Sequence, residues 1–164
     1  MSLLDKEPVE RVVKFLKDFN ESLEVVVLEN SARTAKEAAK ELNCDSGAII
    51  KSLLFKTEEN FILCLISGDK RCSLKKLKKI KNKKNLSMAS PEEVKAQTGY
   101  TIGGVSPIGH LNKVEIFIDK SLERFIDLFA AAGHPNCIFK INYKDIIKIT
   151  NGKIEDITEW KIQN

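Results

Sequence analysis

Residues 47–67 read GAIIKSLLFKTEENFILCLIS, in which two apolar runs are joined by the short polar segment TEEN. Two apolar runs of strand length on either side of a polar turn are typical of a β-hairpin. We therefore predict that residues 47–56 and 60–67 form two paired strands. The first run is interrupted by a single cation, Lys51.

Lys51 has apolar neighbours on both sides along the chain, and strand alternation leaves neither face of this run simply polar. The lysine either lies at a sheet edge, where its ammonium group reaches water, or faces a ligand in a cavity. In a cavity, loss of contact with water would lower the pKa of its amine, and an anionic ligand would raise it.

Helical and strand patterns surround this hairpin. Thr34 and Ser90 are each followed three residues later by a glutamate, which is the pattern of a capping box at a helix start. Pro8 is placed to lie in the first turn of another helix. Periodicity and turn residues predict helices at 7–19, 34–43, 90–99 and 143–152, and strands at 23–29, 113–119, 124–133 and 137–142.

This order interleaves helices with antiparallel hairpins. It predicts an α/β (α+β) fold, in which helices pack on one mixed and strongly twisted sheet. The 164 residues are enough for a single domain, spanning 1–164, with a sizeable core.

Composition narrows the class of protein. No run of about 18 apolar residues is present, so no membrane span is predicted. The first residues carry early acids and no apolar signal core, which favours a cytoplasmic protein. The four cysteines, Cys44, Cys64, Cys72 and Cys137, match no zinc spacing, and we predict free thiols and no metal site.

Residues 70–84 read KRCSLKKLKKIKNKK and contain no acidic residue. Leu74, Leu77 and Ile80 recur at helical spacing, so the segment predicts an amphipathic basic helix. Its cations form either a solvated helix face or a patch that binds the phosphates of a polyanion. Membrane binding is a weaker third interpretation, because the apolar stripe is narrow and lacks aromatic residues.

The segment GGVSPIG at residues 103–109 combines backbone freedom with a rigid exit at Pro107. Gly103 and Gly104 can take positive φ and leave no Cβ in the way of a ligand. Consecutive N–H groups in such a loop can bind a carbonyl oxygen or an oxyanion, although a plain structural turn explains the glycines equally well. The segment has neither the dinucleotide-binding nor the P-loop pattern.

The segment AAAGHP at residues 130–135 places His134 at the tip of a predicted hairpin. The histidine is either simply exposed or orients a water molecule or a substrate hydroxyl. The sequence contains no recognisable motif of a catalytic triad, a carboxylate pair or a metal cluster. An enzyme built on this chain would therefore act through positioning and electrostatics, without a strong protein nucleophile.

Four segments occur in a fixed order along the chain. They are TAKEAAKELNCDSGAIIKSLLFK (34–56), SGDKRCSLKKL (67–77), SPEEVKAQTGYTIGGVSPIGH (90–110) and AAAGHP (130–135). Together they resemble the YbaK/ProX family, the free-standing relatives of the editing domain that is inserted in bacterial prolyl-tRNA synthetases. The resemblance runs from about residue 31 to residue 157.

The resemblance implies a mixed, barrel-like sheet in a single domain and a hydrolase that acts in trans on mischarged tRNA. Alanyl-tRNA(Pro) is the leading substrate, and a tRNA carrying another small amino acid, such as Cys-tRNA(Pro), is the next. No metal or organic cofactor is implied. The implied partners are the acceptor end of a mischarged tRNA and, in addition, an aminoacyl-tRNA synthetase.

The resemblance also implies roles for individual residues. Lys51 matches the lysine that helps hold the terminal adenosine and the aminoacyl ester. Gly103 and Gly104 match the loop whose amides hold the substrate carbonyl, and His134 matches the histidine of the alanine-editing branch. The remaining candidates are Ser106 and Pro107 in the glycine motif, Ile49, Phe55 and Val105 as walls that exclude proline by size, and Lys75, Lys76, Lys78 and Lys79 for tRNA binding.

Two rivals from another class keep the same fold without turnover. One is a non-catalytic tRNA-binding module, which would bind uncharged tRNA tightly and with a steep dependence on salt. The other is a module that senses a free amino acid in the same pocket.

Overall fold

A computed structural model of the chain describes residues 2–30 and 32–161. These residues form five α-helices and ten β-strands. The helices are α1 (Glu7–Phe19), α2 (Ala35–Leu42), α3 (Leu74–Lys81), α4 (Pro91–Thr98) and α5 (Tyr143–Thr150). The strands are β1 (Val25–Val27), β2 (Ile50–Lys56), β3 (Phe61–Ser67), β4 (Lys70–Cys72), β5 (Ser87–Met88), β6 (Glu115–Asp119), β7 (Asp127–Ala131), β8 (Cys137–Asn142), β9 (Lys153–Glu155) and β10 (Thr158–Trp160).

The largest sheet has the strand order β5-β2-β3-β6-β9. The predicted hairpin of β2 and β3 is confirmed as its antiparallel centre, with Lys51 opposite Ile66, whereas β6 joins β3 and β9 in parallel. A second sheet has the order β1-β8-β7, and β4 pairs with β10. The mixed α/β fold is therefore confirmed, but strand pairing within the described residues leaves three open sheets, and the expected barrel-like closure is not confirmed.

Local sequence signals explain most helix ends. The Thr34 and Ser90 side chains accept hydrogen bonds from the backbone N–H groups three residues on, as predicted. The full capping box forms at Ser90, where the Glu93 carboxylate also accepts from the Ser90 N–H. Gly99 ends α4 in the left-handed conformation, as its position after the last helical turn predicts.

The lysine-rich segment differs from its prediction at one end. Residues 70–72 form β4, and the helix begins only at Leu74, after Ser73 caps it. The reason is β10, a strand that sequence periodicity did not predict, because it supplies the pairing partner of β4. Leu77 is fully buried beneath the helix, as the apolar stripe predicted, while Leu74 and Ile80 remain partly exposed.

The core lies on both faces of the main sheet. Helix α1 buries Val9, Val12 and Leu16 completely in the larger of the apolar clusters, together with Leu54 of β2. Cys64 belongs to the cluster on the opposite face, as its apolar surroundings predicted. All four cysteines are free thiols.

One edge of β2 determines where a ligand can enter. Strand β5 pairs only with Phe55 and Lys56, and the Ala89 N–H beside it donates to the Leu54 carbonyl at 2.9 Å. Because backbone groups alternate along a strand, the carbonyl and N–H of Ser52 point to the same side as those of Leu54. That edge is not covered by β5.

Candidate functional site

A cavity of about 410 Å³ lies along this open edge of β2. Its wall is formed by the consecutive residues 49–54, the start of α2, the GGVSPIG segment at residues 103–109 (the glycine loop) and residues of β7 and β8. A volume of this size is ordinary for a small-molecule or cofactor site. The apolar part of the lining consists of Ala32, Ala35, Ala38, Ile49, Ile50, Leu53, Leu54, Met88, Ala89, Val94, Ile102, Val105, Ala131, Pro135 and Ile138.

Lys51 lines this cavity and is half-buried. Its Nζ donates a hydrogen bond of 2.7 Å to the Lys70 carbonyl. Burial, and after it the neighbouring Lys161 cation, lower the pKa of the Lys51 amine from its ordinary value to about 8. Of the two sequence interpretations, the structure supports a lysine that faces a cavity, and an anion bound there would raise this pKa again.

The glycine loop meets the cavity through Gly103 and Val105. Gly103 has φ +94°, a conformation that favours glycine. Gly104 does not line the cavity, and its N–H donates to the Thr101 carbonyl at 2.9 Å. Gly104 is glycine for another reason, because a Cβ there would lie 2.9 Å from the Cα of His134.

This arrangement changes which amide can serve as a donor. The Gly104 N–H, predicted to hold the substrate carbonyl, is already bonded within the loop. For the N–H groups of Gly103 and Val105 no acceptor is found among residues 2–30 and 32–161. Among the loop amides considered, these two therefore combine a position in the cavity lining with an N–H that no described protein group occupies.

Three residues predicted at the substrate lie elsewhere. Ser106 is fully buried and its carbonyl accepts from His110 Nε2 at 2.7 Å, while Pro107 lines a separate surface hollow with His110. Phe55 is buried in the apolar cluster that contains Cys64, and β5 pairs with β2 at that residue, so it does not reach the cavity. Ile49 and Val105 do line the cavity, as predicted.

His134 stands beside the cavity and does not line it, whereas its neighbour Pro135 does. The Asn136 N–H donates to His134 Nδ1 at 3.0 Å, so Nδ1 is the acceptor and Nε2 carries the proton of the neutral ring. Burial, followed by the nearby Lys6 and Arg33 cations, lowers the pKa of His134 and favours this neutral form.

Helix α1, for which no functional role was predicted, supports both loops from outside. Gly133 has φ +90°, and a Cβ there would lie 2.8 Å from the backbone of Pro8 in the first turn of α1. The Arg11 Nε donates to the Gly109 carbonyl at 2.6 Å. The helix thus fixes residues 133–135, the GHP segment, and the end of the glycine loop with respect to each other.

The rim of the cavity is cationic. Arg33, Lys36 and Lys161 are exposed and line it together with Lys51, and no carboxylate occurs among the described lining residues. Sequence reasoning missed these three cations, because they are isolated in the chain and only folding brings them together. The composition signal favoured the lysine-rich helix instead.

The predicted tRNA-binding lysines lie on α3, away from this lining. Lys76 is bonded at 3.0 Å to Asp156 and at 2.7 Å to the Thr158 carbonyl, so its ammonium group holds the fold together. Lys75 and Lys79 are exposed, and Lys78 is partly buried in another hollow. Within the described residues, no group of three or more histidine, cysteine, aspartate or glutamate side chains is placed to hold a metal ion.

Comparisons with known proteins agree on one kind of domain. The family model described as the aminoacyl-tRNA editing domain matches residues 29–149. The Bacillus subtilis protein YwhH is 34% identical over 137 residues, which cover 83% of this chain and 87% of YwhH. EbsC of Enterococcus faecalis, provisionally named a Cys-tRNA(Pro)/Cys-tRNA(Cys) deacylase, is 27% identical over 126 residues, covering 76% of this chain and 77% of EbsC.

A crystal structure described provisionally as a trans-editing enzyme for prolyl tRNA synthetase superposes with a TM-score of 0.89. It is 35% identical and the match covers 94% of this chain and 98% of that one. Proline–tRNA ligases also match, and the chain spans about a fifth of their length. Across residues 2–30 and 32–161, none of the helices is both long and apolar enough to cross a membrane.

Proposed function

Since this chain belongs to the family of aminoacyl-tRNA editing domains, which hydrolyse the ester bond of mischarged tRNA, we propose that it removes alanine or another small amino acid in trans. The leading substrate is Ala-tRNA(Pro), with Cys-tRNA(Pro) next. The observation that carries this proposal is the apolar cavity along β2, which is lined by the half-buried Lys51 and rimmed by further cations.

Lys51 is the group that holds the end of the substrate. Lys51 lines the cavity, and among the described residues its ammonium group donates one hydrogen bond, to the Lys70 carbonyl, which leaves further N–H donors for a ligand. With its pKa at about 8, the amine is largely protonated at neutral pH, and the terminal nucleotide or the ester oxygen can accept from it.

The N–H groups of Gly103 and Val105 are proposed to bind the ester carbonyl. A water molecule adds to the carbonyl carbon, negative charge develops on its oxygen, and the bond to the ribose oxygen then breaks, with the proton passing to that oxygen. Fixed N–H donors stabilise this charge, and removing one such donor costs roughly 3–4 kcal/mol in other enzymes. A water molecule activated by the ribose hydroxyl of the substrate itself requires no protein nucleophile.

His134 acts through the loop that it supports. Its backbone lies against Gly104 and its neighbour Pro135 forms part of the cavity wall. We therefore assign it a positioning role, in which the GHP segment holds the glycine loop at the distance that the ester needs. In this proposal His134 does not itself contact the reacting water molecule, which was one of the roles predicted for it from the sequence.

Discrimination against proline is proposed to be steric. Ile49 and Val105 form the wall beside the amino-acid end, and a small side chain fits where a five-membered ring does not. The acceptor end of the tRNA follows the cationic rim, and the exposed lysines of α3, which the sequence predicted to bind tRNA, lie away from that path. A synthetase that hands over the mischarged tRNA is a further proposed partner.

The decisive experiment is deacylation of radiolabelled Ala-tRNA(Pro), Cys-tRNA(Pro), Ser-tRNA and Pro-tRNA(Pro). We expect rapid loss of one mischarged species, with Pro-tRNA(Pro) spared. The variant Lys51→Ala should be slowed at least tenfold, whereas the matched control Lys79→Ala on α3 should keep its rate.

No hydrolysis of any species would overturn the proposal. Tight, salt-dependent binding of uncharged tRNA would then identify the chain as a binding module. Calorimetry with free alanine, cysteine and proline would detect a sensor, because an editing enzyme has little reason to retain the free amino acid.

A further inference from the structure

The chain has a single tryptophan, Trp160, and it is 60% exposed. It lies on β10 directly opposite Lys70 of β4. An indole gains its main stabilisation from burial, so an indole at this exposure contributes little of its apolar area to the core. Large exposed aromatic rings in defined surroundings are characteristic of binding surfaces.

Two cations flank the ring. The Lys70 Nζ lies 4.3 Å and the Arg124 guanidinium carbon 5.1 Å from the ring centroid. Arg124 is itself fixed by two hydrogen bonds to the Asp69 carboxylate, of 3.0 and 2.8 Å. The ring is therefore held in one orientation, with the two cations over part of its π-surface and the rest of the ring exposed.

The ring also adjoins the cavity. Its neighbour in sequence, Lys161, lines the cavity rim, and the carbonyl of its strand partner Lys70 accepts the hydrogen bond from Lys51. Lys70 therefore links the two residues, because it pairs with Trp160 across the β4–β10 ladder and accepts the hydrogen bond from Lys51.

We propose that the exposed surface of the Trp160 ring, which the two cations leave uncovered, is a stacking platform for an unpaired base of single-stranded RNA, immediately outside the cavity. The inference rests on the proposed function: the terminal nucleotide enters the cavity and a preceding base of the unpaired 3′ end lies on the indole. Aromatic side chains combined with flanking cations are the usual means of binding single strands, because bases stack while phosphates meet the cations. The platform does not select the base, since every base has a π-face.

The test uses the intrinsic fluorescence of the full chain, in which all tryptophan emission comes from this one ring. Titration with an uncharged RNA hairpin that mimics the tRNA acceptor stem and ends in four unpaired nucleotides should quench the emission. A blunt hairpin of the same stem should leave it unchanged. Quenching by both hairpins alike, or by neither while filter binding shows a complex, would overturn the proposal.

Variants separate stacking from folding. Trp160→Ala should raise KM for the mischarged tRNA about tenfold and leave kcat at saturation near that of the wild type, because stacking is lost from binding alone. Trp160→Phe keeps a π-face and should recover most of the affinity, and thermal unfolding of both variants reports any loss of the β4–β10 pair. Wild-type kcat/KM in a folded Trp160→Ala protein would refute the platform.

The two proposals fail separately. Because the titration uses uncharged RNA, quenching without any hydrolysis would refute the deacylase and keep the platform. Hydrolysis with the same kcat/KM in the wild type and in Trp160→Ala would refute the platform and keep the deacylase.

Discussion

The cavity along β2 and the helix α3 both carry several cations, but they hold them in opposite ways. On and after α3, Lys76 pairs with Asp156, Lys81 with Glu115 and Lys83 with Glu59. Around the cavity, the lysines and the arginine face a lining that contains no carboxylate among the described residues. A phosphate arriving at Lys76, Lys81 or Lys83 competes with protein carboxylates, whereas a phosphate arriving at the cavity meets cations that no acid of the described lining neutralises. The density of lysine in a sequence is thus a poorer guide to an anion site than the pairing of each lysine in the fold.

The largest expected effect comes from reversing charge in each region separately. The double variant Arg33→Glu/Lys36→Glu at the cavity rim should weaken binding of a mischarged or uncharged tRNA roughly tenfold to a hundredfold, because two phosphate contacts become repulsive. The matched double variant Lys75→Glu/Lys79→Glu on α3 introduces the same charge and should change affinity less than about threefold. Filter binding at two salt concentrations measures both.

The salt dependence provides the control on that comparison. Only the rim variant should reduce the slope of log affinity against log salt, since only its cations release counterions on binding. A larger loss from the α3 variant would mean that the helix, and not the cavity rim, is the RNA-binding surface.

Gly104 tests whether the loop is as rigidly packed as the cavity requires. Its Cβ in Gly104→Ala would meet the backbone of His134 at 2.9 and 3.0 Å, and backbone cannot yield as a flexible side chain can. We expect a loss of roughly 1–3 kcal/mol in the free energy of unfolding, with a fall in kcat because the GHP segment is displaced. Chemical denaturation and single-turnover deacylation would measure the two effects.

Gly103→Ala serves as the contrasting variant in the same loop. Its nearest contact is Pro135 at 3.5 Å, which is ordinary, so its cost arises from φ +94° and amounts to about 1–2 kcal/mol. If Gly104→Ala proved neutral, the close packing of the two loops would be disproved.

Much of this site was predictable from short-range signals. Apolar runs and the TEEN turn predicted the β2–β3 hairpin, and cap residues predicted the starts of α2 and α4. These features depend on neighbours in the chain, which a sequence displays directly. The placement of Lys51 in a cavity was one of two open interpretations, and the open edge of β2 decided between them.

The parts that failed depend on long-range pairing. Phe55 lies two residues after Leu53 on the same face of β2, yet only Leu53 lines the cavity, because β5 ends the open edge. Strands β9 and β10 were missed because each has three residues, too few to show a period. The support that α1 gives to the GHP segment joins Pro8 to Gly133, and no local pattern indicates such a contact.

The pH dependence of the reaction tests the electrostatics of the cavity. The folded protein holds the pKa of the Lys51 amine at about 8, below its ordinary value, so the ammonium form is present below that pH and is lost as the pH rises through it. If the ammonium form binds substrate, kcat/KM should fall about tenfold for each pH unit above 8, after subtraction of hydroxide-catalysed hydrolysis. Lys51→Arg, which stays charged, should remove this limb even at reduced activity. An unchanged limb in that variant would assign the ionisation to another group.

The smallest expected effect contrasts one buried hydroxyl in each region. Ser52 Oγ, at the cavity edge, is the one fully buried side-chain polar atom that has no hydrogen-bond partner among the described residues. Thr158 Oγ1, beneath the start of α3, donates to Asp119 at 2.9 Å. A buried hydroxyl without a partner costs free energy, so Ser52→Ala should leave the free energy of unfolding unchanged or raise it by up to about 1 kcal/mol. Thr158→Val keeps the shape but removes one of the hydrogen bonds that the buried Asp119 carboxylate accepts, and should cost roughly 1–3 kcal/mol. Equal losses of unfolding free energy in the two variants would contradict this contrast. They would show that Ser52 Oγ has a hydrogen-bond partner in solution, such as a bound water molecule, that is as stabilising as the Thr158–Asp119 hydrogen bond.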